Sequence, residues 1–210
     1  LFTRDSSCWI YDQLSVNRMF WPARQPEAVH MAAIYRFHPH FAATGFGLGG
    51  PPDRSTDSST LEGGDVMPIG KGVVLVGMGE RTTPAAVVSL ASQLFQKGAA
   101  SHVIAALMPR DRSFMHLDTV FTLCDRDLAT IFPPVVDRLR TFSIRPSDND
   151  GPPTIIEEKT PFLSVVREAL QLKTLRTVPT GGDSFEAERE QWDDGNNVLA
   201  LGPGVVIAYD

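Results

Sequence analysis

A histidine and an aspartate, two residues apart, form the first pair in this chain whose types could do chemistry. His116 and Asp118 lie in the stretch Met115–Phe121, which follows a polar turn and opens an apolar run. We interpret this stretch as a strand entered from a loop, with both side chains on one face. The histidine could move a proton near neutral pH while the carboxylate holds a cation. A lone pair of this kind is more typical of the polar face of a surface strand.

Two further carboxylates flank a double glycine at the beginning of another apolar run. Glu62 and Asp65 enclose the glycines, and Asp5 lies at the entrance of a third short apolar stretch. Taken singly, Asp5 is typical of a turn or cap, and Asp65 could simply fix the glycine turn. Because these residues lie where strands begin, we predict that Asp5, Glu62, His116 and Asp118 converge on one pocket. Carboxylates sharing a desolvated pocket repel each other, so we expect at least one raised pKa.

The composition limits the class of protein. With 210 residues, 42% of them hydrophobic, the chain is long enough for one domain or part of a larger one. Its net charge of -6, without a basic cluster, argues against nucleic-acid binding. No apolar run approaches the length of a membrane span, so we expect no membrane association.

The two cysteines, Cys8 and Cys124, lie in apolar runs, and we interpret them as small buried hydrophobic residues. No disulfide framework is indicated, and this cysteine usage fits a reducing, cytoplasmic location. The five histidines and two cysteines show no ligand spacing, so we expect no metal site. The sequence lacks an initiator methionine, and we interpret it as an internal fragment of a longer protein.

Residues 61–107 show the clearest organisation. We predict strands over Val66–Ile69 and Val73–Val76, a helix capped by Thr83, and a further strand over Ser101–Leu107. The second of these strands is continuously apolar, which is typical of a strand buried on both faces. The order of elements is therefore strand, strand, helix, strand.

This order recurs in looser form along the chain. Upstream, a helix over Glu27–Phe37 carries a predicted apolar stripe of Val29, Ala32, Ala33 and Phe37. The segment 44–59, rich in Gly, Pro and Ser, is expected to be a flexible loop. Downstream we predict strands Thr119–Cys124 and Leu128–Phe132, helix Val135–Leu139 and a strand near Phe142. Helix Pro161–Leu172, strand Leu175–Val178 and the paired strands Asn197–Leu201 and Val205–Ala208 follow. Such repetition predicts several modules packed about an axis.

Five stretches of the sequence together resemble arginine deiminase, over nearly the whole length apart from the loop 44–59. They are Phe2–Asp5, Glu62–Asp65, Gly77–Arg81, Met115–Asp118 and Glu190–Asn197. The resemblance implies an α/β fold, a pseudo-fivefold α/β propeller of ββαβ modules, of which this fragment holds three or four. Residues 1–210 would then form part of a single catalytic domain.

The resemblance also assigns roles to the residues singled out above. His116 matches the acid/base residue, and Glu62 matches the glutamate that binds the guanidinium and orients the histidine. Asp5 and Asp118 match the two aspartates that clamp the guanidinium. Opposed carboxylates suit this group, because its fixed fork of donors makes bidentate charge-assisted bonds. Asp65 matches an aspartate that supports the site from behind.

Two arginines complete the set that the resemblance assigns. Arg24 and Arg81 match residues that bind the α-carboxylate of the substrate, although either alone could be an ordinary surface charge. In its own motif Arg81 has no acidic neighbour except Glu80, which is adjacent and need not point the same way. We therefore expect the Arg81 guanidinium to be free to meet an external carboxylate.

The implied activity is the hydrolysis of L-arginine to L-citrulline and ammonia, without a metal or organic cofactor, through a covalent thiouronium on a cysteine. The family's cysteine lies in a Gly-rich His-Cys segment that is absent from these 210 residues, and neither Cys8 nor Cys124 has matching flanks. We therefore expect the fragment alone to be inactive and the full-length protein to be a homo-oligomer. The alternatives are an amidinotransferase, an agmatine deiminase or a non-catalytic arginine-binding domain. Arg24 and Arg81 argue against agmatine, which has no carboxylate.

Overall fold

The strands of this chain form several separate sheets in a mixed α/β architecture. The computed structural model describes residues 3–41, 48, 58–149 and 151–208. Most of the predicted loop 44–59 lies outside these residues. The repeating unit, here called a module, is a hairpin of two antiparallel strands followed by a helix and a strand parallel to the second strand of the hairpin.

The first module begins with a four-residue helix, α1 (Thr3–Ser6), that runs into the hairpin. Strands β1 (Ser7–Ile10) and β2 (Gln13–Val16) pair antiparallel. Helix α2 (Gln25–Phe37) follows, and Leu48 then makes a parallel bridge to Ser15 of β2. The first module therefore shows the same order of elements, and the described part of its last strand is the bridge at Leu48.

The apolar stripe predicted for α2 is in the wrong phase. Val29 and Phe37 are 54% and 76% exposed. The buried residues are Ala28, Ala32 and Tyr35, which share one face at the spacing of a helix. Tyr35 decides the phase, because its ring packs edge-on against Trp9 of β1. Its polar hydroxyl is the reason that the sequence pattern did not mark it as a core residue.

The second module follows the prediction for residues 61–107 closely. Strands β3 (Val66–Gly70) and β4 (Val73–Met78) pair antiparallel, and β4 pairs parallel with β5 (His102–Leu107). Helix α3 (Pro84–Gln96) lies between β4 and β5, and the Thr83 hydroxyl accepts a hydrogen bond from its first turn. All six residues of β4 are buried.

The third module is interrupted by an excursion. Strands β6 (Phe121–Leu123) and β7 (Leu128–Ile131) pair antiparallel. After helix α4 (Pro133–Val136), strands β8 (Arg140–Arg145) and β9 (Thr154–Glu157) leave to extend the second module's sheet.

The chain then returns to complete the third module. Helix α5 (Phe162–Ala169) leads to β10 (Arg176–Pro179), which pairs parallel with β7. Helix α6 (Ser184–Trp192) and the hairpin β11 (Leu199–Gly202) and β12 (Val205–Ile207) follow. Neither β9 nor α6 was predicted from the sequence.

The main core lies on both sides of the five-stranded sheet β3-β4-β5-β8-β9. Val73 and Leu75 of β4 join one buried cluster, with residues of β6, β7, α4 and α5. Val74 and Val76 join the other, with the buried face of α3. This explains why β4 is continuously apolar. The order of the modules agrees with the predicted repeat, and their closure about a fivefold axis stays a prediction.

Among the described residues, no helix combines the length and apolar character needed to cross a membrane.

Candidate active site

Three consecutive modules each place a turn immediately before their hairpin, and these turns meet. Helix α1 carries Asp5, a 3-10 turn at Gly63–Asp65 follows Glu62, and a second 3-10 turn at Leu117–Thr119 follows His116. The side chains of all five sequence-predicted residues in these turns are buried: Asp5, Glu62, Asp65, His116 and Asp118. The structure thus brings together residues that span more than a hundred positions.

His116 lies at the centre of this group. Its Nε2 is 2.8 Å from Glu62 Oε2, and its Nδ1 is 3.7 Å from Asp5 Oδ1. Burial lowers the pKa of His116, but the bond to Glu62 and the surrounding carboxylates outweigh it and raise the pKa to about 9. Burial would raise the pKa of Glu62, but the bond and charge of His116, the Phe20 N–H and the charge of Arg81 together outweigh it and lower the pKa. The histidine is therefore protonated at neutral pH, and Glu62 is ionised.

The prediction that His116 and Asp118 lie on one face of a strand is wrong. Strand β6 begins only at Phe121, and the preceding backbone turns so that Thr119 N donates to His116 O over 3.2 Å. The Thr119 hydroxyl also donates to His116 O, over 2.7 Å. The physical reason lies in another module, because Asp65 Oδ1 accepts the Leu117 N–H over 2.9 Å. That bond replaces the cross-strand partner that a strand would need.

Asp65 supports both neighbouring turns. Besides Leu117, it accepts a 2.5 Å hydrogen bond from the hydroxyl of Thr82, which in turn accepts the Glu62 N–H. Burial raises the pKa of Asp65 to about 7. Burial is also the main cause of the raised pKa of Asp118, with repulsion from Asp5 a lesser one. The expected raised carboxylate pKa is therefore confirmed, and desolvation rather than repulsion is its principal cause.

Gly64 allows the first two turns to approach the histidine. A Cβ atom at this position would lie 2.7 Å from His116 Nδ1 and 3.0 Å from Asp5 Oδ1. Its backbone N–H donates to Asp5 Oδ1 over 3.1 Å. Because any larger residue would intrude on the imidazole, the double glycine fixes the geometry of the histidine.

Arg4, which the sequence analysis did not assign, pairs with Asp118. Its Nη2 bonds Asp118 Oδ2, while Asp118 Oδ1 is buried without a hydrogen-bond partner among the described residues. The Arg4 charge opposes the rise in the pKa of Asp118 that burial causes. The signal was present in the sequence, because Arg4 directly precedes Asp5 in a stretch that we singled out.

Arg24 and Arg81 also contact the carboxylates of the site. Arg24 Nη1 is 3.0 Å from Asp5 Oδ2, and the same guanidinium binds Glu27 through two nitrogens. Arg81 Nη1 is 3.3 Å from Glu62 Oε2. The expectation that Arg81 is free of acidic neighbours is therefore wrong. Buried carboxylates need compensating charge, and the fold supplies it from a residue 19 positions away.

A cavity of about 580 Å³ opens onto this group. Its lining includes Asp5, Arg24, Arg81, His116 and Asp118, together with residues that the sequence analysis did not assign: Arg4, Arg112, Asp194 and Asn197. The last two belong to the stretch Glu190–Asn197. A larger cavity of about 770 Å³ is lined by residues of β1, α2, β3 and β6. It shares Arg4 with the smaller cavity but is not lined by the His116 cluster.

The two cysteines do not line the smaller cavity. Both are buried and unpaired, as predicted. Burial raises the pKa of the Cys8 thiol to about 11, so little thiolate forms at neutral pH. Neither thiol is placed to act as a nucleophile at His116.

One group of ligating atoms in the described part of the chain is compact enough for a metal ion. Asp5, Glu62 and His116 each offer an atom within 4.8 Å of the others. The sequence analysis did not foresee this set, because it considered only histidine and cysteine spacing. The guanidinium groups of Arg24 and Arg81 contact the same carboxylates and already balance their charge. The set suits an organic cation with N–H donors better than a metal ion.

Comparison with solved structures identifies the same fold. DDAH from Pseudomonas aeruginosa, a cysteine-to-serine mutant complexed with citrulline, is 14% identical with a TM-score of 0.57, over 99% of this chain and 60% of that chain. AgrE, a cysteine-to-alanine mutant with L-arginine, is 15% identical with a TM-score of 0.58, over 96% of this chain and 24% of that chain. SxtG, an amidinotransferase from Microseira wollei in the saxitoxin biosynthetic pathway, is 15% identical with a TM-score of 0.59, over 98% of this chain and 57% of that chain. The chain thus spans less than two thirds of each of these proteins.

The sequence itself gives the family. The family model described as "Arginine deiminase" matches residues 1–210, which include every turn that contributes to the site. The mixed α/β architecture agrees with the guanidine-modifying enzymes among the solved structures. This chain belongs to the arginine deiminase family.

Proposed function

We propose that the full-length protein hydrolyses L-arginine to L-citrulline and ammonia. The observation that carries the proposal is the buried cluster in which protonated His116 contacts Glu62 at 2.8 Å, beside Asp5 and Asp118. The cluster offers carboxylates to hold a planar cation and a proton donor to act on it. Residues 1–210 would be part of one catalytic domain, and its modules would close into a propeller.

Substrate binding is an exchange of guanidinium groups. In the empty site, Arg4, Arg24 and Arg81 contact Asp118, Asp5 and Glu62 respectively. The substrate guanidinium takes up contacts with these carboxylates, including the unpaired Asp118 Oδ1. Arg24 and Arg81, partly released, then bind the substrate's α-carboxylate. Arg24 and Arg81 therefore each face a carboxylate before and after the exchange, so neither state leaves these buried charges unpaired.

The chemistry proceeds in two halves. A cysteine thiolate, which the family resemblance places outside these 210 residues, attacks the guanidinium carbon to give a tetrahedral adduct. His116 donates its proton to the departing nitrogen, and ammonia leaves a thiouronium. Neutral His116 then removes a proton from water, whose oxygen attacks the same carbon. Collapse of the second adduct expels the thiolate and gives citrulline, with one water consumed for each ammonia released.

The raised pKa of His116 suits the first half of this cycle. A pKa of about 9 keeps the imidazole protonated in the empty enzyme at neutral pH. The bond to Glu62 both raises this pKa and orients the ring. A bound guanidinium would lower the pKa through charge repulsion, which makes the proton easier to release.

An amidinotransferase is the second candidate, because SxtG, one of the structural neighbours, is described as one. It would share the first half of the cycle and replace water by an amine. The two reactions differ in the atom that bonds to the guanidinium carbon in the second half: a water oxygen in the deiminase and an amine nitrogen in the amidinotransferase. A homo-oligomeric, cytoplasmic protein remains our expectation for the full-length enzyme.

The test uses the full-length protein with L-arginine in water enriched in oxygen-18. We expect citrulline carrying the heavy oxygen together with equimolar ammonia. Replacement of His116 by alanine should abolish both products, while His30→Ala, on the exposed face of α2, should leave them unchanged. Transfer of the amidino group to an added amine, with no labelled citrulline, would identify an amidinotransferase instead.

A further inference from the structure

Helix α6 is anchored to the rest of the molecule by a buried glutamine, Gln191. Of its nine residues, all of them described, only Gln191 is buried, with 3% of its surface exposed. Its neighbour Trp192 is 66% exposed. A buried amide is costly unless its hydrogen-bonding groups are satisfied, so a helix anchored by glutamine rather than by an apolar residue needs a reason.

The Gln191 amide is bonded on both sides. Its Nε2 donates to Thr119 O over 2.7 Å and to Ser113 O over 3.1 Å. Its Oε1 accepts from Asn196 Nδ2 over 3.1 Å. Both amide hydrogens are used, and the acceptors are backbone carbonyls that an apolar side chain could not satisfy.

These partners lie next to two walls of the cavity, and Thr119 itself lines it. Ser113 and Thr119 bracket the segment that carries His116 and Asp118, and Thr119 is itself bonded to His116 O. On the other side, Asn196 directly precedes Asn197, which lines the cavity. One side chain therefore ties the turn with the acid/base residue to the loop that faces it.

We propose that Gln191 is a positioning residue that sets the placement of His116 and Asp118 from outside the cavity. It is not among the residues that line the cavity, so it acts through the turn and not on substrate. The inference rests on the proposed function, because it assumes that this turn does the chemistry. A displacement of about 1 Å at a reacting group can lower a rate about 100-fold.

The decisive variant is Gln191→Glu in the full-length protein. The shape of the side chain is kept, but a carboxylate has no hydrogens to donate and faces the carbonyl oxygens of Ser113 and Thr119. We expect kcat for L-arginine to fall about 100-fold and KM to rise by a smaller factor, because Asp118 shares this turn whereas Asp5, Arg24 and Arg81, which also bind substrate, lie elsewhere. The matched control is Gln96→Glu, an exposed position on α3 that makes the same change of charge.

A spectroscopic measurement separates positioning from loss of stability. The imidazole proton and nitrogen resonances of His116 should shift in Gln191→Glu and stay unchanged in Gln96→Glu. Should Gln191→Glu prove unstable, Gln191→Asn keeps the amide and shortens its reach, and it should give an intermediate loss of kcat with a smaller shift.

Two outcomes would overturn the inference: an unchanged kcat, or a loss that merely follows the unfolded fraction while the His116 resonances stay in place. A protein without arginine hydrolysis in its unmodified form would refute the proposed function. In that case the His116 resonances would still decide whether Gln191 positions the turn.

Discussion

The floor of the cavity and its rim differ in their exposure and in the groups that hold their side chains in place. The floor is the buried cluster of which Asp5, His116 and Asp118 line the cavity, while Glu62 and Asp65 support them without lining it. All five residues of the floor are at most 6% exposed. Its members are held by groups of the fold itself: Gly64 N–H holds Asp5, Phe20 N–H holds Glu62, and Leu117 N–H and the Thr82 hydroxyl hold Asp65. The rim, consisting of Arg4, Arg24 and Arg81, is more exposed and contacts the floor through its guanidinium groups.

The difference separates two tasks. Backbone N–H groups and one buried hydroxyl hold three carboxylates of the floor, which gives the fixed geometry that proton transfer requires. The rim's geometry depends on which cation occupies the carboxylates, which is what selection of a charged substrate requires. Changes in the floor should therefore lower kcat, and changes in the rim should alter KM and the choice of substrate.

The largest effect is expected where the floor has no spare space. In Gly64→Ala, the added methyl group would overlap the imidazole, because its carbon would lie only 2.7 Å from His116 Nδ1. Displacement of the ring should lower kcat at least about 1000-fold and destabilise the protein by about 1–3 kcal/mol. Steady-state kinetics and urea unfolding measure the two effects. The control is Gly79→Ala, whose added methyl group meets a single ordinary contact, so kcat and stability should hardly change. Gly98→Ala would not serve, because Gly98 has a positive φ.

A rim residue should give a smaller and selective effect. Arg81→Ala removes one charge-assisted contact to the substrate's carboxylate, worth roughly 1.5–3 kcal/mol, or about one to two decades in kcat/KM for arginine. Agmatine lacks the carboxylate, so the kcat/KM for agmatine should be nearly unchanged in Arg81→Ala. Arg138→Ala, an exposed arginine after α4, is the control. An equal loss on both substrates would assign Arg81 to holding Glu62, which it contacts at 3.3 Å.

The floor should also make stability depend on pH. The pKa of His116 is raised from 6.5 to about 9, so the native state binds more protons than the unfolded chain between these values. Its contribution is fully present below pH 6.5 and is lost as the pH rises through 9. About 3 kcal/mol of stability should be lost over this window, since each unit of pKa shift corresponds to about 1.4 kcal/mol. Urea midpoints from about pH 6 to about pH 9.5 measure it, and His116→Gln should flatten the curve. A midpoint that rises with pH would contradict a protonated His116.

The smallest effect is expected at Arg4, whose side chain is 39% exposed. Exposed ion pairs contribute little, so Arg4→Gln should raise KM for arginine only about threefold near neutral pH. The effect should grow as the pH falls by about two units, because Arg4 opposes the raised pKa of Asp118 and protons would then compete with substrate. KM measured at both pH values decides the matter, and a fall in kcat with constant KM would place Arg4 among the floor residues.

Sequence predicted best those parts whose signals are local. The second module follows from a capped helix and a continuously apolar strand, both of which depend on neighbouring residues. Helix α6 was missed because it has no apolar stripe. Its one readable signal is the capping box of Asp183 and Glu186, which the structure forms. Strand β9 is exposed at all four positions, so it carries no pattern of burial.

The site was predictable in membership but not in geometry. The residue types and their position before strands indicated Asp5, Glu62, His116 and Asp118. The turn at His116 depends on a bond from Asp65, 52 residues earlier, and no local pattern reports such a bond. The pairing of Arg81 with Glu62 likewise depends on how the second module folds back. Tertiary contacts set these details, and propensity cannot anticipate them.

The placement of one turn before each of three hairpins has a consequence for how the protein matures. The contacts that close the site join residues 54, 59 and 114 positions apart. Closing such long loops costs chain entropy before any contact rewards it, so the site should form late in folding. During synthesis, Asp5 and Glu62 would remain without their histidine until the third module has emerged. If the proposed function holds, arginine would bind only the assembled turns and would stabilise the contacts between modules once folding is complete.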